Sequence, residues 1–315
     1  MARALVIGAN GFVGQHLVTH LKELGDQVVC AGLQAQGSRV SEEDFRSVDI
    51  TDAQSVRGVV QAVKPDVTYH LAGIAFVPEA EEDFDKALRI NVAGTANVAR
   101  QCHLLEKKTS LVFISSAEVY GSVKSEDLPL TETTPINPNN NYSLTKRMAE
   151  MVVERYARAE HLSCCIVRPF NHIGPGQDRR FVTANFALQL ARIAQGKAEP
   201  VLRVGNLEAK RDFSDVRDIV RGYRLLSQTR GGLFNLGSGR ASSIQTILDT
   251  LIEVSGVGVE IVQDPERMRG PEVPELYGAC SRIEQECGWT PQIPLRQSLK
   301  DVYQHWSELV ARGAA

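Results

Sequence analysis

Short apolar runs alternate along the chain with longer stretches in which apolar residues recur at helical spacing. A run of roughly four to eight apolar residues bounded by turn signals marks a strand, and a recurrence at three and four positions marks a helix with one buried face. On this pattern, strands are expected at 4–7, 27–31, 45–48, 67–71, 110–115 and 163–167. Helices fall between them at about 12–24, 53–63, 82–107 and 142–160. The strands are too apolar to face water on either side, so the sheet is expected to be parallel and covered by helices.

The rhythm breaks after Arg168, where Pro169, Asn171, Gly174, Pro175 and Gly176 form an irregular loop. A helix over 182–195 follows, then a helix over 216–227 and a strand over 233–236 that rejoins the sheet. Residues 243–276 read as a small lobe of their own. The fold class expected is α/β: a Rossmann-type doubly wound parallel sheet with a smaller α/β substrate domain. Residues 1–170 would form the dinucleotide domain, with about 214–240 returning to it, and 171–315 would form most of a discontinuous substrate domain.

Composition narrows the partners. The 315 residues are 43% apolar and 23% charged, enough for a full core. A net charge of −3 without long like-charge runs argues against nucleic acid or an anionic membrane as the main partner. An anionic small substrate would instead be met by a few placed arginines. No apolar stretch approaches membrane-spanning length and no signal peptide is evident, so a cytoplasmic location is expected. None of the six cysteines has CxxC spacing, which points to buried free thiols. His16 and His20 lie four apart on a helix, but no third ligand is apparent and no metal site is expected. Ser242 with Gln245 has the spacing of a helix capping box.

The segment Gly8-Ala9-Asn10-Gly11-Phe12-Val13-Gly14 leaves the first strand and opens the first helix. Gly8 permits the tight turn, Gly11 lets a pyrophosphate approach the backbone, and Gly14 lets helix and strand pack closely. The helix N-terminus then offers free N–H groups and a positive dipole. Gly8, Asn10, Gly11, Phe12, Val13 and Gly14 are therefore expected cofactor contacts. An NAD-binding domain of this type carries an Asp or Glu about 20 residues later, bonded to the ribose 2′-hydroxyl. Here the stretch Val28-Val29-Cys30-Ala31-Gly32-Leu33-Gln34 has no carboxylate to repel a 2′-phosphate. NADP(H) is thus favoured over NAD(H). Arg39 would supply a positive charge for that phosphate, or is a solvated loop residue.

Tyr142 and Lys146 stand at i and i+4, on one helix face. A nearby ammonium stabilises phenolate, so the Tyr142 pKa is expected to fall toward the working range. Ser116 ends the fifth strand, where ligands of α/β sheets collect, and its hydroxyl can bond the same substrate oxygen.

The GxxGxxG spacing together with Tyr142-Ser-Leu-Thr-Lys146 resembles the extended short-chain dehydrogenase/reductase family, and the resemblance covers nearly the whole chain. It assigns Asp49 and Ile50 to the adenine end of the cofactor. Leu71-Ala72-Gly73 matches the family's turn after the fourth strand, and Asn91-Val-Ala-Gly-Thr95 its NVxGT helix, both read as cofactor-binding. The stretch Ser116-Ala117-Glu118 departs from the Thr-Asp-Glu or Thr-Ser-Glu of sugar-nucleotide 4,6-dehydratases by placing Ala117 where they have a polar residue, and it is intermediate between that pattern and the Ser-Ala-Thr of epimerases. Glu118 would be a general acid or base, an acceptor for a substrate hydroxyl, or a solvated strand-end residue.

The resemblance also places Asn171, Arg211, Arg269 and Glu272 on the sugar diphosphate and nucleoside, with His172 packing within its loop. The nearest likeness is to GDP-4-keto-6-deoxy-mannose reductases, through NHIGPGQ, VGNLEAKRDFSDVRD and MRGPEVP. It implies NADPH-dependent reduction of a nucleotide-activated, GDP-linked 4-keto-6-deoxy sugar, with GDP-4-keto-6-deoxy-D-mannose yielding GDP-D-rhamnose. A redox-neutral epimerase or 4,6-dehydratase is the alternative, and a non-catalytic dinucleotide sensor the remote one. The helices over 82–107 and 142–160 carry apolar residues on more than one face, and relatives pair these helices. A homodimer is expected.

Overall fold

The computed structural model describes residues 1–34, 45–265 and 273–314. Its strands are β1 (Arg3–Ile7), β2 (Gln27–Gly32), β3 (Phe45–Ser47), β4 (Val67–His70), β5 (Thr109–Ile114), β6 (Leu162–Pro169), β7 (Asn171–Ile173), β8 (Val201–Val204), β9 (Lys210–Asp215), β10 (Gly232–Leu236), β11 (Ala241–Ser243), β12 (Glu260–Gln263) and β13 (Glu275–Leu276). The α-helices are α1 (Phe12–Glu23), α2 (Ala53–Val63), α3 (Val77–Glu82), α4 (Phe84–Ala87), α5 (Thr95–His103), α6 (Asn141–Tyr156), α7 (Val182–Ala194), α8 (Val216–Leu226), α9 (Ile244–Ser255), α10 (Ser281–Cys287) and α11 (Leu295–Ala311).

Seven parallel strands form the main sheet, in the order β10-β6-β5-β4-β1-β2-β3. All four residues of β4 are buried, because helices close both faces. The alternation along β1 divides the two sides. Ala4 and Val6 pack with Leu17 and Leu21 of α1 and with Ile219 and Tyr223 of α8. Leu5 and Ile7 pack with Val56 and Val60 of α2, Val98 of α5 and Val153 of α6. From β1 the sheet grows outward through β2 and β3, then restarts at β4 and grows the other way. In sheets of this kind ligands bind outside the carboxyl ends of the strands at such a reversal, here those of β1 and β4.

The helix expected over 82–107 is broken in the structure. After α4, a π-helical turn spans Leu88–Gly94 before α5 begins. Gly94 makes room for Ile50, since a Cβ there would lie 2.7 Å from the Ile50 Cδ1. The wide turn also accompanies a buried Asn91, which bonds outside its own helix. Such π turns recur at functional sites.

The second lobe has a sheet in which β9 pairs with β11, β13 and β7, beside a β8–β12 pair. Phe186 and Leu190 of α7, Ile247 and Leu251 of α9, and Val302 and Trp306 of α11 share one core with Phe213 of β9. The stretch 243–276 is therefore not a lobe of its own: its helix packs on α7 and α11, and its strands pair with β8 and β9. The N-cap of α9 is Ser243, whose hydroxyl accepts from the Thr246 N–H at 3.0 Å. Ser242, expected in that role, instead pairs with Arg211 across β11 and β9. The C-terminal part also returns to the main sheet further along than expected, since Ile283 and Trp289 join its core beside α8. All six cysteines are free, four of them buried.

Candidate active site

The glycine loop is built as its spacing implies. Gly8 has φ +95°, and a Cβ on it would lie 2.7 Å from the Ala72 nitrogen, so a side chain is excluded by both conformation and space. A Cβ on Gly14 would fall 2.2 Å from the Gly8 carbonyl oxygen, which shows how closely α1 rests on the loop. Gly8 and Ala9 donate to the Ala31 carbonyl at 2.8 and 3.2 Å, fixing the loop to the end of β2. Gly11 is the N-cap of α1 and has no side chain to cap it, so the helix presents backbone N–H groups and its positive end. Asn10 donates to the Gln34 carbonyl, while its Oδ1 is buried with no partner among the described residues. A backbone cradle without side chains, beside a buried acceptor, fits a dinucleotide.

Other residues assigned to the cofactor divide. Leu71 and Ala72 donate to the Ile7 carbonyl at 2.9 and 3.0 Å, so this turn sits at the switch point. Gly73 lies against Asn91 and Lys146: its Cβ would be 2.9 Å from the Asn91 Oδ1 and 3.6 Å from the Lys146 Nζ. Asn91 is buried, and its amide binds the Ile74 N–H at 2.8 Å and the Thr145 hydroxyl at 3.1 Å. That geometry makes Asn91 a brace between the turn and α6. Ile50 is buried against Gly94, and the exposed Asp49 accepts from the Thr51 N–H and hydroxyl. Arg39, Arg269 and Glu272 lie outside the described residues.

Ser116, Tyr142 and Lys146 are all buried at the carboxyl end of β5. Asn140 caps α6 reciprocally with Ser143, which places Tyr142 in its first turn. Burial pushes the Tyr142 phenol up to about 12; the Ser116 hydroxyl opposes the rise and nearby Glu118 adds to it. The expected fall of the Tyr142 pKa is thus reversed. Desolvation of the phenolate dominates, and the Lys146 Nζ is directed elsewhere, donating to the Ile114 carbonyl at 2.8 Å and lying 5.4 Å from the Phe113 ring centre. Burial pushes the Lys146 ammonium down to about 8, opposed by Glu150. At neutral pH the site holds a protonated phenol, which suits proton donation.

Ser116 also caps a tight turn at Ala117–Tyr120, accepting from the Glu118 N–H at 3.1 Å. Glu118 is half-buried. Ala117 is 3% exposed and packs with Tyr120, Leu130, Phe170 and Leu276. A carboxylate in its place would be buried among apolar groups, at a cost of several kcal/mol on the order-of-magnitude scale for unpaired charges.

The substrate lobe is locked to the glycine loop. Phe12 stacks on His172 at 6.2 Å between ring centres, and His16 bonds the Pro175 carbonyl at 2.9 Å. His172 also bonds the Phe170 carbonyl at 3.0 Å, the packing role expected of it. Asn171 is exposed at the start of β7, opposite Phe213 of β9. Arg211 is half-buried two positions earlier on β9, and its Nη1 donates to the Lys210 carbonyl at 2.8 Å. The two candidate substrate residues thus stand on neighbouring strands.

Two buried acids escaped the sequence. Asp212 accepts from Ser238 N–H and hydroxyl and from Gly239 N–H at 2.6–2.9 Å, drawing the loop after β10 toward β9. Its place beside Arg211 was the available signal. Glu150, one helical turn beyond Lys146, pairs with the buried Arg168; the continued i, i+4 spacing was the signal there.

A family model described as GDP-mannose 4,6 dehydratase matches residues 5–302. A GDP-6-deoxy-D-mannose reductase of Pseudomonas aeruginosa is 35% identical over 310 residues, covering 98% of this chain and 98% of its own. A GDP-mannose 4,6-dehydratase of Vibrio cholerae is 27% identical over 343 residues, covering 94% of this chain and 91% of its own. Among solved structures, RMD from Pseudomonas aeruginosa complexed with NADPH has a TM-score of 0.86 at 32% identity, covering 97% of this chain and 99% of that one.

Proposed function

The chain belongs to the extended short-chain dehydrogenase/reductase family described by the GDP-mannose 4,6 dehydratase model, and on that premise we propose that it is an NADPH-dependent reductase of a nucleotide-activated 4-keto-6-deoxy sugar, converting GDP-4-keto-6-deoxy-D-mannose to GDP-D-rhamnose. The observation that carries this reading is the buried Ser116–Tyr142–Lys146 group with a phenol kept protonated at neutral pH. The full-length likeness to a GDP-6-deoxy-D-mannose reductase, and to a structure complexed with NADPH, supports the substrate and the cofactor.

The loop Gly8–Gly14 would hold the dinucleotide, which when bound would supply the hydride. Tyr142 would give its proton to the carbonyl oxygen as that oxygen takes on charge, so that hydride and proton together turn the ketone into an alcohol. Ser116 donates a hydrogen bond to the same oxygen, and Lys146 orients the ribose of the cofactor. Arg211 and Asn171 face the sugar diphosphate, the guanidinium fork matching paired phosphate oxygens. The same proposal assigns Arg269 and Glu272, which lie outside the described residues, to the nucleotide. Proton donation of this kind contributes about a hundred- to ten-thousandfold.

The exposed Leu144 and Met151, seven apart on α6, and Leu104 just past α5 support a homodimer through those helices. A cytoplasmic location is proposed with it; among the described residues no helix is long and apolar enough to cross a membrane.

Dehydration would need two proton-transfer groups beside Ser116, and Ala117 leaves Glu118 alone for both. Incubation with GDP-mannose and NADP should therefore leave the sugar nucleotide unchanged by mass spectrometry. A product lighter by one water would overturn the reductase reading and restore the dehydratase.

A further inference from the structure

Beneath Ser116 and Lys146 lies a buried carboxylate that no step of the reduction touches. Glu150 is 0% exposed, and Arg168 at the end of β6 is 1% exposed. Arg168 grips it with both arms, Nε to Oε1 and Nη2 to Oε2, each at 2.8 Å. The Ser115 hydroxyl donates to the same Oε1 at 2.6 Å, and Arg147 donates to Oε2 at 3.1 Å. Ser115 stands between Ile114, whose carbonyl accepts from Lys146, and Ser116. One carboxylate therefore ties together the helix that bears Tyr142 and Lys146, the end of β5 and the end of β6.

Already paired with Arg168 and Arg147, Glu150 is also the anion that favours the charged form of Lys146. The helix itself contributes Glu150 to the surroundings of the ammonium, β4 contributes His70, β5 the Phe113 ring and the Ile114 carbonyl, and Gly73 lies between the lysine and Asn91 of the π turn. Burial holds His70 down to about 3, with Lys146 adding to the fall, so it is neutral. Burial likewise keeps Tyr142 neutral, and Glu118 faces Tyr142. Glu150 is the anion on this side of the lysine, one helical turn away.

We infer that Glu150 is a positioning residue: its buried carboxylate, held by Arg168 and Ser115, sets the end of β5 against the Tyr142–Lys146 face of α6 and so holds the Ile114 carbonyl on the Lys146 ammonium. The inference rests on the proposal that Lys146 holds the cofactor ribose. Glu150 acts through Lys146 and Ser115, and removing its charge should leave the donors in place while moving the pH at which the lysine loses its proton.

The test is NADPH affinity across pH, read by fluorescence on the full-length protein, with circular dichroism confirming the fold. In the unmodified protein, affinity should fall as pH rises through about 8, where Lys146 deprotonates. In Glu150→Gln that fall should move to lower pH by at least about one unit, the scale of one lost opposite charge. Glu150→Asp keeps the charge, so the midpoint should return toward that of the unmodified protein. Glu150→Gln leaves Arg168 without its counter-ion; if it does not fold, Glu150→Met with Arg168→Met removes the Ser115 tie without leaving an unpaired buried charge, and the loosened Ile114 carbonyl should again move the midpoint to lower pH. An unchanged midpoint in whichever variant folds would overturn the inference. Because NADPH binding is read without substrate, failure of the enzyme to reduce the keto sugar would refute the reductase proposal and leave this test intact.

Discussion

Replacing Gly32 with aspartate should turn a preference for NADPH into one for NADH. Gly32 ends β2 beside the glycine loop, and no carboxylate precedes it on that strand. Among the described residues, the atoms nearest a Cβ there are those of the Phe45 ring at 3.5 Å and the Asn10 amide nitrogen at 4.0 Å, ordinary contacts, so the substitution adds charge with little strain. A 2′-phosphate carries about −1.5 to −2 at neutral pH, as phosphorylated side chains do. At roughly 5 Å from a new carboxylate, with an effective dielectric of about 40 to 80, the repulsion comes to about 1.5–3 kcal/mol. That is a loss of roughly ten- to a hundredfold in NADPH affinity. NADH gains an acceptor for its 2′-hydroxyl, a charged hydrogen bond contributing about 1.5–3 kcal/mol at most. Dissociation constants for both cofactors at one fixed ionic strength, in parent and variant, decide the matter, because salt screens part of the repulsion. Equal affinities in the parent, or an unchanged ratio in Gly32→Asp, would refute the link between the missing carboxylate and cofactor choice.

Tyr142→Phe should lower turnover by at least about a hundredfold with NADPH affinity little changed, and near-full activity in that variant would remove Tyr142 as the proton donor. In a pH profile of kcat/KM, activity should decline as pH rises through about 8, since the working ammonium of Lys146 exists below that pH and is lost above it. Tyr142, held up to about 12, adds no loss in that range, so a profile still flat well above pH 8 would contradict the assignment. Light scattering at micromolar protein should report a dimer, and Leu144→Glu with Met151→Glu should shift it toward monomer; a monomeric parent would end the proposed α5–α6 interface.

The sequence carried those parts of the site whose chemistry is local. Gly8, Gly11 and Gly14 are legible because a strand, a tight turn and a helix follow one another within a dozen or so residues, and the turn permits no side chain where α1 and Ala72 press on it. Tyr142 and Lys146 are legible because helical spacing alone puts them on one face. Glu150 with Arg168 is different: the two meet only because α6 lies over β6, and a lone Glu or Arg in sequence is more often solvated. The Tyr142 pKa went the wrong way in sequence for a related reason. The neighbouring lysine is visible in the spacing, whereas the burial that outweighs it comes from the assembled fold. The second lobe was blurred because β11 and β13 are three and two residues long and gain their order from β9. Such short strands leave no period to detect.

The most direct test mixes the purified protein with NADPH and GDP-4-keto-6-deoxy-D-mannose and follows NADPH absorbance and the sugar nucleotide together. One NADPH should be consumed for each keto sugar, yielding GDP-D-rhamnose, with oxidised cofactor released into solution. Disappearance of the keto sugar without loss of NADPH, or no reaction under conditions where NADPH is bound, would contradict the assignment as a net reductase.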